Sequence, residues 1–358
     1  MFIYTCFILL IYTLLKLGKI KITKGVEIYS FTAVFILIFL FCALRFDVGY
    51  DYSMYYELID GNIKYYTAQI NRIEYIPRQL ILFSRFIGFY QFFFIISSLV
   101  ISYFFYRAIK ENSEDRSTST LIFVCFPLFF FMSLSVVRQF MVIAILFYSF
   151  SFIKQRKFWK YLAVVSFCFF IHKSSILALP IYFLYGNLVN KKLIVVIYIL
   201  GFFSSNILVY LINFFSEGYS IYLDQIKGEG GNLILIFFQI LGLFLLPLVY
   251  NFRDKKDKNF NFYLLTYFVG LFLWSSLSKF GHAGIRGGLY YMSFIILLIP
   301  HLKNKIKEYK IIRELMVIIS FLFFFLNLYI GSKHKIKDAN LPYQTYFFKS
   351  IKDFKSNE

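Results

Sequence analysis

The chain has 358 residues, of which 59% are hydrophobic and 16% charged, with 50 Phe and 30 Tyr. So few polar side chains cannot cover a water-soluble fold of this length, whereas a bilayer accepts helices that are apolar all round. The formal charge of +19, from 38 Lys+Arg against 19 Asp+Glu, falls in short clusters between apolar runs, a pattern of positive-inside anchoring and not of a nucleic-acid surface.

Against the roughly 20 residues that cross a hydrocarbon core, apolar runs predict helices near 2–17, 27–44, 89–108, 119–134, 137–153, 158–172, 174–188, 193–213, 232–250, 259–278, 288–302 and 312–330. The fold class is therefore all-α, a polytopic integral membrane bundle of about 12 transmembrane helices. The first run lacks a basic segment before it and carries Lys16, Lys19, Lys21 and Lys24 after it, so it reads as a membrane helix and not as a cleaved signal. Residues 77–88 are too short to cross and carry Arg78 and Arg85 among apolar neighbours, which fits an interfacial half-helix. Residues 1–331 form one transmembrane domain with an outer loop at 45–76, and 332–358 form a polar, basic tail.

Loops on one side of these twelve runs hold 22 Lys+Arg and loops on the other hold ten, which makes the first side cytoplasmic and turns both termini outward. The six lysines of the tail are the misfit in that assignment. Cys6, Cys42, Cys125 and Cys168 all lie in apolar runs without CxxC spacing, so neither a disulfide framework nor a zinc site is expected.

The outward segments carry the chemistry. Residues 45–76 combine five acids with seven tyrosines, and 214–231 ends in GEGG. Such tyrosines either anchor at the membrane interface or present sugar-binding faces, phenol to hydroxyl and ring to C–H surface. Arg138 opens the fifth run beside Gln139, where a guanidinium either snorkels to water or faces an anion. His172 closes the sixth run. From Arg138 the chain descends about 22 Å, turns through basic KQRKFWK and climbs about 21 Å. Arg138 and His172 therefore return to one depth on adjacent helices about 8–10 Å apart and should border one small cavity. Arg45 ends the second run, followed by Asp47, Gly49, Asp51, Tyr52 and Tyr55, and forms either a surface ion pair or an anion site. Arg286 precedes the eleventh run among four glycines, which would let backbone approach a ligand closely or leave the arginine merely solvated.

There is no GxxxxGK[ST] loop, HExxH or GxSxG elbow, which argues against ATP hydrolysis, a zinc-protease site and a serine-hydrolase site. What remains is positioning plus charge stabilisation: arginines for an anionic group and a histidine for a proton.

The string Arg45-x-x-x-Gly49-x-Asp51-Tyr52-x-x-Tyr55, the Ser133…Arg138-Gln139…Ala144 stretch, the basic turn, and Phe170-x-His172-x-Ser174-Ser175 leading to Pro180 and Tyr182 resemble the EpsG family of Wzy-like polysaccharide polymerases. The likeness runs over about 40–300, with Arg286 and Tyr290 similar to a late Arg–Tyr element. Glu74-Tyr75-Ile76-Pro77 is a looser version of a Glu-Pro segment with two residues inserted, and it assigns Glu74 no role.

The resemblance implies an integral-membrane glycosyltransferase of the inner membrane, without metal or cofactor. It would polymerise undecaprenyl-pyrophosphate-linked repeat units on the outer face into capsule, exopolysaccharide or O-antigen. Arg138, Arg286 and Arg45 would hold the pyrophosphate, and His172 would be the base on the acceptor hydroxyl, with Asp51 as its competitor. Asp47, Tyr52, Tyr55, Gln139, Ser174 and Tyr290 would contact the glycan and its carrier. A flippase and a chain-length regulator are the implied partners, with no nucleic acid. Polyprenyl chains need a bilayer-side opening, for which the Phe-rich runs around 119–150 are candidates. The alternative is a lipid-linked oligosaccharide flippase, whose cationic groups should line a path through the midplane. A ligase passing finished glycan to another acceptor would share the polymerase chemistry.

Overall fold

The structure, a computed structural model, describes residues 1–19, 25–61, 66–187, 190–215, 232–251, 257–280, 283–331 and 339–349. Most of the GEGG-ending segment 214–231 lies outside the described residues, as do 332–338 and 350–358 of the tail.

Helices dominate. Among the described residues, five are long and apolar enough to cross a membrane: Phe2–Lys19, Val26–Ala43, Gln91–Asn112, Val137–Lys154 and Tyr309–Tyr329. In chain order they belong to α1 (Phe2–Lys19), α2 (Val26–Ala43), α6 (Gln91–Asn112), α9 with α10 (Val137–Tyr148 and Phe150–Lys154), and α18 (Tyr309–Gly331). Between α2 and α6 lie α3 (Tyr52–Asp60), α4 (Tyr66–Arg72) and α5 (Tyr75–Phe86). α7 (Arg116–Cys125) and α8 (Phe130–Ser135) precede α9, and α11 (Phe158–Phe169) and α12 (Ile181–Leu184) follow α10. The remainder are α13 (Lys191–Phe215), α14 (Asn232–Asn251), α15 (Lys258–Ser276), α16 (Ala283–Met292) and α17 (Ile295–His301).

Three expected helices are broken: 288–302 at the turn Ser293–Phe294 and two others at a proline. The run 119–134 splits into α7 and α8 because Phe126 precedes Pro127 and takes an extended backbone, φ −68 and ψ 140. The run 174–188 becomes a 3₁₀ segment, Lys173–Ala178, then Pro180 and the four-residue α12. Both proline breaks adjoin residues singled out in the sequence.

α7 to α10 form the centre of the bundle: Phe123, Phe126, Phe129, Phe130, Phe140, Phe147 and Phe150 are buried. The Phe-rich runs around 119–150 are therefore core and offer no opening to lipid. α15 and α16 pack backbone to backbone. A Cβ on Gly288 would stand 2.8 Å from the Gly270 carbonyl oxygen, and one on Gly284 2.7 Å from that of Trp274. These two glycines serve helix packing and do not hold a ligand.

The outer loop is a small folded layer with its own core. Phe46, Tyr52, Tyr55, Tyr56, Ile59 and Ile70 close on Ile81 of α5 and on Phe93 and Phe94 of α6. α5, Tyr75–Phe86, overlaps the segment 77–88 expected as a half-helix: it buries Pro77, Ile81 and Ser84, and it exposes Leu82, Phe83 and Phe86. The tail returns to this layer. Gln344–Thr345 pairs antiparallel with Arg45–Phe46, Ala339 O accepts from Gly49 N at 2.6 Å, and Asn340 O accepts from the Tyr4 hydroxyl at 2.8 Å. The start of α1 and the docked tail thus lie at the same end of the molecule as the outer loop.

Candidate active site

The site is organised by a residue to which the sequence assigned no role. Glu74 occupies the N-cap position of α5 with extended backbone, φ −62 and ψ 161, yet its side chain makes no cap bond. An N-cap carboxylate ordinarily accepts from the second or third helical N–H. Here the second, Ile76 N–H, is taken by the Phe170 carbonyl at 3.0 Å. The third residue is Pro77, which has no N–H. The carboxylate is therefore free to bond across the fold. Oε2 accepts from Arg138 Nη1, and Oε1 lies 3.0 Å from His172 Nδ1 and accepts from Lys173 N at 3.2 Å.

Arg138 and His172 therefore meet at one carboxylate, and what lies between them is Glu74 in place of the expected cavity. Arg138 sits in the first turn of α9, just after a break at Val136. Its Nε donates to the Tyr55 hydroxyl at 2.7 Å. Among the described residues Nη2 has no hydrogen-bond partner, and about a fifth of the side chain stays exposed. His172 precedes the 3₁₀ segment with extended backbone, φ −157 and ψ 119, and keeps similar exposure.

Burial of Glu74 pushes its pKa up, but the bond to His172, the charge of Arg138 and the Lys173 N–H outweigh that and hold it at about 2. Glu74 is thus ionised at neutral pH. An ionised carboxylate only accepts, so His172 Nδ1 carries the hydrogen. Nε2 of a neutral His172 then presents its lone pair, and no described protein group bonds it.

Around this triad the other nominated residues divide. Gln139 is buried, and its Nε2 donates to the Arg286 carbonyl at 2.6 Å, tying α9 to α16. The Arg286 side chain is exposed. Ser174 Oγ and the Tyr290 hydroxyl share a hydrogen bond of 2.7 Å, and the Tyr291 hydroxyl donates to Leu177 O at 2.9 Å, so α16 also holds the 3₁₀ segment after His172.

Arg45, Tyr52 and Tyr55 are not on a surface. Arg45 is 1% exposed, and its guanidinium donates to the carbonyls of Val48, Cys42 and Leu134 and to Ser98 Oγ. It joins the end of α2, the outer loop, α6 and the α8–α9 break, with four of its five N–H groups bonded there and the guanidinium buried away from any surface phosphate. Tyr52 is fully buried: its hydroxyl donates to Gln91 Oε1 at 3.1 Å and its ring stacks on Phe94. Tyr55 is equally buried and acts on Arg138. Neither tyrosine lines a glycan path. Asp47 adjoins buried Tyr52 with φ 50, and Asp51 stands at the N-cap position of α3 with its charge felt by Tyr55. The carboxylate that touches His172 is Glu74. Among the described residues no three His, Cys, Asp or Glu side chains converge as a metal site would require.

The one local signal for Glu74 was an acid placed three residues before a proline at the start of an amphipathic half-helix, which removes one of its two capping partners; the other is lost only to the Phe170 carbonyl. No curated protein and no solved structure matches the chain. A sequence model of the EpsG family matches residues 28–345, from α2 to the docked tail, and so spans every residue of this site. The chain belongs to the EpsG family of Wzy-like polysaccharide polymerases.

Proposed function

We propose that the protein elongates a surface polysaccharide by transferring a glycan from undecaprenyl pyrophosphate to a hydroxyl of another lipid-linked repeat unit. The observation that carries this is the Glu74 carboxylate shared by Arg138 and His172. It holds an imidazole and a guanidinium on its two oxygens, each with a nitrogen that no described group bonds.

His172 Nε2 takes the proton of the acceptor hydroxyl as its oxygen attacks the anomeric carbon. The bond from that carbon to the pyrophosphate oxygen breaks, and the electron pair leaves with the pyrophosphate. Arg138 Nη2 and the exposed Arg286 side chain meet the charge that develops there. Glu74 fixes the tautomer of His172 and balances the imidazolium that forms. Tyr55 holds Arg138 from behind.

In this reading twelve passes cross the inner membrane, some through broken or short helices, and the Glu74 end faces outward. The polyprenyl chains then approach beside α5 and the 167–177 segment, where Tyr75, Phe170, Ile176 and Leu177 are exposed next to Glu74 and His172. A flippase lining would place cations through the midplane, whereas Arg138, His172 and Arg286 gather at one end.

The test is the size of lipid-linked glycan in a deletion strain complemented with His172→Ala or Arg138→Ala. Single repeat units on carrier lipid are expected from both, with the proteins still inserted. Normal polymer lengths would dismiss the reading, and units trapped on the cytoplasmic leaflet would favour the flippase.

A further inference from the structure

At the end of the bundle opposite Glu74 a cleft of about 40 Å³ opens between the last turns of α1 and the first turns of α7 and α18. Its mouth holds Lys16, Lys19 and Arg313 with Glu314, and its inner wall includes Leu15, Leu121 and Val317. Tyr12 and Val317, both partly exposed, lie one turn, about 6 Å, deeper in the bundle than Lys16 and Arg313. The cleft is cationic at the membrane surface and apolar below it.

Its charges do not cancel. Lys19 pairs with Asp115 at 3.3 Å, and Arg313 pairs with Glu314. Lys16 Nζ lies 5.2 Å from the centre of the Tyr12 ring and, among the described residues, is in no ion pair. Among the described residues, three cations against two carboxylates leave one positive charge at the mouth. Arg313 spends Nη2 on Glu314, and none of its other N–H groups has a described bond. A monoanionic phosphodiester would neutralise this excess, and acyl chains would cover the wall below it. A zwitterionic headgroup brings no net charge to do so.

We propose that this cleft binds one acidic phospholipid, its phosphodiester held by Lys16 and Arg313 and its acyl chains lying over the partly exposed Tyr12 and Val317. The site is independent of the glycan chemistry at the other end.

The experiment is native mass spectrometry of the full chain released from nanodiscs containing equal phosphatidylglycerol and phosphatidylcholine. The wild type is expected to retain one phosphatidylglycerol in preference to phosphatidylcholine. Lys16→Gln should weaken that preference about fivefold, and Lys16→Arg should keep it. Lys16 is exposed and outside any described ion pair, so the glutamine variant tests binding without disturbing the fold. Equal retention of the two lipids by the wild type, or an unchanged preference in Lys16→Gln, overturns the proposal. Release of the lipid by millimolar inorganic phosphate would also overturn it, because the site would then belong to the free anion.

Discussion

Arg45 and Arg138 show how the same residue type takes opposite duties at the same end of a bundle. Arg45 spends four of its five N–H groups on three carbonyls and a serine hydroxyl inside the fold, while Arg138 keeps one whole nitrogen in reserve beside the surface. Lysine cannot reproduce the planar fork of Arg45. Arg45→Lys should therefore destabilise the protein by about 1–3 kcal/mol through carbonyls left unbonded, seen as lower melting temperature with activity per folded molecule retained. Glu74 makes a titration prediction. Its pKa of about 2 lies below the ordinary 4.5, so the stabilisation from its pairing is complete above the ordinary value and disappears as pH falls through about 2. Removing the Arg138 charge reverses part of that shift. Infrared titration should find the Glu74 carboxylate of Arg138→Ala protonating nearer the ordinary range than the wild type's. The common depth of Arg138 and His172 was legible from helix rise alone. Glu74 was not, because its value depends on a neighbour's carbonyl occupying Ile76 N–H, a contact between segments 94 residues apart.

The outer loop, the α8–α9 break and the docked tail depend on one another. Gly49 has φ 102, and a Cβ there would stand 2.0 Å from Leu134 O, the carbonyl that Arg45 also grips. Tyr50 N donates to Ser135 Oγ at 3.2 Å, just before α9 begins and presents Arg138. Gly49→Ala and truncation before Ala339 should both loosen Arg138. Each is expected to give protein that still inserts but loses most elongation activity, with protease sensitivity confined to 45–76. The acids and tyrosines of this loop read as a surface in the sequence, since a polar run between two membrane helices shows no periodic apolar face. Its burial arises from α5 and α6 closing over it, which no local pattern records. The helices broken at prolines were hidden likewise: each is apolar throughout, and hydropathy does not register the geometry imposed by Pro127 or Pro180. α5 was legible because its two faces differ.

Across the whole molecule, membrane residence and helical class followed from composition, and the start of α1 meets the docked segment 339–349 at the site face through Tyr4 and Asn340. Sheet pairing with Arg45–Phe46 and the Tyr4 hydroxyl hold 339–349 at that end. With the four native cysteines replaced, cysteines at Lys173 and Phe348 should react with an impermeant thiol reagent from outside intact cells, and those at Lys110 and Lys303 only after permeabilisation. The most direct measurement is a double-mutant cycle on reconstituted elongation, using purified lipid-linked repeat units with Glu74→Gln, His172→Ala and the pair. If Glu74 acts through His172, each single change slows elongation by about 10²–10⁴, and the double variant is no slower than His172→Ala. Losses that simply multiply would contradict a carboxylate working through the imidazole.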